Sequence, residues 1–103
     1  MAKPRPPTEG HTLRAQLAAL AADETELRKD VQSLMNAALK DEAAAMEAVR
    51  RGDEIQARRH LDALDAHRAE IGVVEAEIRV ISATVTSYRE ALERLTGPAH
   101  EPS

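Results

Sequence analysis

Aromatic side chains are almost missing from this chain. Tyr88 stands alone, with no Phe and no Trp. Aromatics supply some of the largest buried areas in compact cores, so a thick globular core is not expected. Cysteine is absent as well, which removes disulfides, thiolate metal sites and cysteine nucleophiles. No apolar run approaches the roughly 20 residues that cross a bilayer. The N-terminal Met-Ala-Lys-Pro-Arg-Pro-Pro has no apolar stretch of the kind a secretory signal carries. The expectation is a soluble cytoplasmic protein with no membrane attachment. Neither sign of charge dominates: 14 basic and 18 acidic residues leave a net charge of −4, which gives no general pull toward nucleic acid.

What is present points one way. Of the 43% hydrophobic residues, twenty are Ala, and with Leu, Glu and Arg they make the composition of long helices. At 103 residues the sequence reads as one small domain or one protomer of an assembly. From Asp53 to Thr96 a seven-residue repeat runs almost unbroken. Position a holds Ala57, Leu64, Ile71, Ile78, Val85 and Leu92, and position d holds His60, His67, Val74, Ile81, Tyr88 and Leu95. Steps of three and four keep this stripe on one side of a helix, the signature of coiled-coil packing. Gly72-Val-Val and the run from Arg79 to Ser87 are rich in β-branched residues, as strands are. Their apolar positions nevertheless keep the three-four spacing, so the helix reading holds.

A first helix is expected to start at Thr12, whose hydroxyl suits an N-cap. Its seam reads Leu13, Leu17, Leu20, Glu24, Leu27 and Val31. Beyond Val31 the larger apolar residues fall at Met35, Leu39, Met46 and Val49, with Glu42 among them. Two steps of four in succession imply a stutter that unwinds the supercoil locally, with Lys40-Asp41-Glu42 the weakest point. The clearest punctuation follows. Gly52 suits the left-handed residue that ends a helix, and Asp53 suits the cap of the next, with Gln56 placed to complete a capping box. The Arg51-Gly52-Asp53 triplet is thereby read as a stop and a cap, not as an integrin-type ligand.

These signals predict an all-α fold, an antiparallel two-helix coiled-coil hairpin. Residues 1–11 form a disordered Pro-rich tail, 12–51 the first helix, 52 the turn, 53–96 the second helix and 97–103 a second disordered tail. Each helix would be roughly 60–65 Å long at about 1.5 Å per residue. Folding about Gly52 pairs residues whose numbers sum to about 105, so that Leu17 meets Tyr88, Val31 meets Val74, and His60 and His67 face Ala45 and Ala38.

A second stripe lies on the outer c and f positions of the second helix: Val73, Ala76, Val80, Ala83 and Ser87. A two-helix hairpin cannot bury it, so self-association into a helical bundle, as a dimer, is expected through these five residues. Gly72 sits at its rim, where it marks either a weak point in the helix or a close backbone approach.

Charge gathers at the turn. Arg50, Arg51, Arg58 and Arg59 lie beside Asp53 and Glu54, a candidate tip for binding a partner. Glu–Arg pairs at i,i+4, among them Glu47–Arg51, Glu54–Arg58, Glu75–Arg79 and Glu90–Arg94, imply that much of the Arg charge is compensated locally. His60 and His67 are the one chemical oddity of the seam. Seven residues apart, they lie about 10.5 Å from each other along the axis, too far to share one metal, so they read as packing residues. No Ser-His-Asp set, Gly-rich phosphate loop or acid/base pair can be assembled, and no enzyme activity, cofactor or metal is expected.

The turn from Glu47 to Asp53, followed by a long heptad helix, resembles the coiled-coil hairpins of bacterial Gre-type transcript cleavage factors and of phage-shock-type scaffold proteins. The likeness covers a generic hairpin and assigns no residue a role. Three functional readings follow. The first is a non-enzymatic protein–protein interaction protein, a scaffold or adaptor. The second is a nucleic-acid or transcription-complex binder using the Arg-rich tip, which the net charge disfavours. The third is a bundle holding a metal or small ligand through His60 and His67.

Overall fold

The computed structural model describes residues 9–96. Two helices, α1 (Glu9–Arg50) and α2 (Glu54–Thr96), are joined by three residues, and no strand occurs among the described residues. The chain is an all-α helical hairpin. The β-branched segment of α2 stays helical throughout. There the hydroxyls of Thr84 and Thr86 donate to the carbonyls of Val80 (3.0 Å) and Ser82 (3.1 Å). This bond to the carbonyl four residues back gives the hydroxyl of a Thr inside a helix a partner, at a slight cost to the helix.

Helix α1 begins at Glu9, three residues ahead of the expected start, so Thr12 lies inside the helix and does not cap it. The two sequence-predicted tails otherwise fall on 1–8 and 97–103, outside the described residues. Gly10 is helical and half-buried. Near a helix start, where backbone bonding is incomplete in any case, a glycine is a weaker obstacle than in the interior.

The turn forms from local chemistry alone. Gly52 has φ +74°, the left-handed conformation that glycine adopts without steric cost. Its N–H donates to Val49 O (3.0 Å), and that of Asp53 donates to Ala48 O (2.8 Å). These are the two bonds of a Schellman motif. Asp53 then opens α2, its Oδ1 accepting from the Gln56 N–H at 3.0 Å. The reciprocal half of the expected capping box is not needed, because the Asp53 N–H is already bound to Ala48. Nothing lies within 4 Å of a Cβ built on Gly52, so backbone strain is the whole penalty for replacing it. Gly52→Ala is expected to cost about 1–2 kcal/mol, read from the urea midpoint by circular dichroism. An unchanged midpoint would show that the left-handed residue is dispensable.

Contacts divide the chain into two units. One is Met1–Thr25 with Arg79–Ser103, of which 9–25 and 79–96 are described. Here Leu13, Leu17, Leu20 and Glu24 of α1 are half-buried, as are Ile81, Tyr88 and Leu92 of α2, while Val85 is buried at 5% exposure.

The other unit is the tip, Glu26–Ile78, and it departs from the sequence reading. The seam of α1 does not slip after Val31. It continues through Leu34, Ala38, Asp41, Ala45 and Ala48, all buried or half-buried. Met35, Leu39, Met46 and Val49 are 46–65% exposed. There is no stutter, and α1 does not break at Lys40-Asp41-Glu42. The two possible stripes differ by one residue, a rotation of about 100° on a helix of ~3.6 residues per turn. The occupied one keeps α1 in phase with the unbroken heptads of α2. It also sets the small side chains of Ala38 and Ala45 on either side of Asp41, where the imidazoles of His60 and His67 need room. Met and Leu at those places would overfill the seam. On α2, Ala57, Leu64 and Ile78 are buried, and His60, His67, Ile71 and Val74 are half-buried.

Candidate functional site

Three features of the tip unit bear on function: a polar layer in the seam, the charged turn and an exposed flank. The polar layer joins Asp41 to both seam histidines. His67 Nδ1 lies 2.9 Å from Asp41 Oδ2, and His60 Nδ1 lies 3.5 Å from Asp41 Oδ1. The shorter contact approaches off the hydrogen-bond direction, so His67 Nδ1 is shielded from solvent without an aligned partner. A proton on Nδ1 is the arrangement that meets a carboxylate without lone-pair repulsion. The histidines therefore do not simply fill space opposite Ala45 and Ala38. They share one carboxylate, with side chains about a third exposed against 18% for Asp41.

Asp41 was invisible to the sequence reading because the assumed stutter put Glu42 on the seam in its place. Continuing the three-four count from Val31 through Leu34 and Ala38 would have found it. Among the described residues no group of three or more His, Cys, Asp or Glu side chains has a geometry that could hold a metal ion. His60 and His67 with Asp41 form a polar layer in the seam, each imidazole facing one carboxylate oxygen.

At the turn, Arg50, Arg51, Arg58 and Arg59 are all exposed. Glu47 serves two of them, at 3.0 Å to Arg50 and 3.9 Å to Arg51. Arg58 and Arg59 make no ion pair among the described residues. Glu54 is exposed and does not close the expected i,i+4 contact with Arg58, nor do Glu75–Arg79 and Glu90–Arg94 close theirs. Exposed pairs of this kind gain little and lose side-chain freedom. Asp53 is half-buried, and its Oδ1 is occupied in capping α2.

The exposed flank carries Met35, Leu39, Met46 and Val49 of α1 with Glu42 at its centre. Glu42 reaches Arg68 of α2 at 3.5 Å. Around this bridge lies an open groove of about 230 Å³, walled by Met35 and Leu39 on one side and by Leu64 and Ile71 on the other. Leu61, one heptad before Arg68, lies on the same side and is 45% exposed. Nothing in the sequence marks this flank, because hydrophobicity alone assigns its apolar residues to the seam.

The five residues expected to mediate self-association, Val73, Ala76, Val80, Ala83 and Ser87, are exposed, Val73 and Val80 at 60% and 66%. No helix among the described residues is long and apolar enough to cross a membrane. Comparison with protein-family models, curated proteins and solved structures finds no match to this chain.

Proposed function

We propose that this chain is a non-enzymatic interaction protein, a cytoplasmic scaffold or adaptor that works as a homodimer and offers its helical hairpin to another protein. One observation carries the reading. Large apolar side chains remain outside in helical order: Met35, Leu39, Met46 and Val49 on α1, with Val73 and Val80 on α2. Large apolar side chains left exposed at helical spacing are the mark of a face that a partner covers. The polar layer supports the same reading. Its two imidazoles and one carboxylate are turned on each other within the seam, an arrangement suited to packing and not to work on a substrate. Arg58 and Arg59, the guanidiniums without an ion pair at the tip, are the groups available to an acidic protein surface.

Sedimentation equilibrium tests the homodimer. The expected result is a dimer whose melting temperature rises with protein concentration, as it must when association stabilises the fold. A monomer at every concentration, with melting independent of it, would sink the homodimer reading.

A further inference from the structure

We infer that the second copy sits on the exposed flank of the tip unit, with α1 of each copy packed along α2 of the other about a two-fold axis parallel to the helices. The inference rests on the homodimer reading and gives it a place. The first observation is the size of the apolar side chains. Met35, Leu39, Met46 and Val49 follow one another at steps of four, seven and three, with Glu42 completing the three-four alternation. They have the form of a seam without its partner, whereas the outer stripe of α2 is mostly Ala and Ser.

Charge sets the axis. Glu42 and Arg68 lie side by side across the two helices. An axis between the helices and parallel to them brings each Glu42 opposite Arg68 of the second copy, and each Arg68 opposite its Glu42. The four charges then alternate in sign, so the centre of the flank is complementary to its own image, as an isologous contact requires. An axis across the helices would instead set Glu42 against Glu42 and Arg68 against Arg68.

Gly72 is the third observation. It lies one helical turn from Arg68 on the same face and weakens α2 relative to Ala. A Cβ built there meets nothing within 4 Å, so no contact inside the chain calls for glycine. In the proposed pairing Gly72 comes nearly level with Met35 of the second copy, which the absent side chain admits. Leu61 comes level with Met46 and Val49.

Sedimentation equilibrium on variants of the full chain decides it, with circular dichroism confirming that each stays helical. Leu39→Glu is expected to raise the dissociation constant about a hundredfold or more, because it places an unpaired charge in the contact. Glu42→Arg, which opposes Arg to Arg, should raise it about tenfold. Adding Arg68→Glu to that variant should restore the wild-type value. Gly72→Leu should weaken the dimer without loss of helix, and Val80→Glu should leave it intact. If Val80→Glu dissociates the dimer and Leu39→Glu does not, the seat is on the outer stripe of α2: this inference falls and the homodimer reading stands. A charge swap that fails to restore association overturns the parallel axis. A wild type that is monomeric throughout overturns both.

Discussion

Leu64→Ala is expected to lower the stability of the hairpin by about 2–3 kcal/mol, at the low end of the range for large-to-small core changes. The buried set of the tip unit is mostly alanine: Ala38, Ala45, Ala48 and Ala57, none above 9% exposure. Leu64, at 5%, and Ile78, at 9%, are its large buried aliphatics. Leu64 reaches the groove beside Met35, Ala38 and Leu39, and losing its branched end removes contacts with both helices. Because the groove is open, water can enter the space left behind, which limits the cavity penalty. A loss of this size in a domain of about 100 residues lowers the melting temperature by roughly 10–20 °C. Val80→Ala, at a position 66% exposed, should change it by under about 0.5 kcal/mol. Chemical denaturation of both variants at one protein concentration makes the comparison. A Leu64→Ala effect no larger than that of Val80→Ala would mean that the tip is held by its alanines and its turn, and the packing account would fail.

Asp41→Ala should cost about 1–3 kcal/mol, although it removes a charged residue from an apolar seam. Its carboxylate faces both His60 and His67. Without it, the solvent-shielded Nδ1 of His67 loses the carboxylate that lies 2.9 Å away, and a shielded polar group with no charge to face bears its desolvation cost alone. The opposite result is expected when the whole layer becomes apolar. Asp41→Ala combined with His60→Leu and His67→Leu should be at least as stable as the wild type, since well-packed apolar side chains often outdo a polar cluster in a seam. The variant would also lose the feature that distinguishes this level of the seam from its neighbours, because a polar seam position specifies register. A double-mutant cycle between Asp41→Ala and His67→Leu measures the coupling. A value near zero would show that the 2.9 Å contact contributes nothing to the fold.

Much of this protein was determined by sequence alone, wherever the cause is local. Helix type follows from the composition and from the three-four spacing of α2. The turn follows from a glycine at the one position that needs positive φ, followed at once by an aspartate able to cap. Both act within a few residues, so no knowledge of the rest of the chain was required. The seam of α1 as far as Val31 was equally legible, because its leucines have no competitor one residue away.

Only the tertiary structure decided how α1 continues from there. Leu34, Ala38, Asp41, Ala45 and Ala48 lie one residue behind Met35, Leu39, Glu42, Met46 and Val49. Ranked by hydrophobicity, the second set belongs inside. Ranked by fit, the first does, because the heptads of α2 run on without a slip and its histidines need small neighbours and a carboxylate between them. Hydrophobicity is a property of one residue, whereas fit belongs to a pair. The seam of α1 was therefore settled by α2, and the larger apolar side chains were left on the outside, where a second copy can cover them.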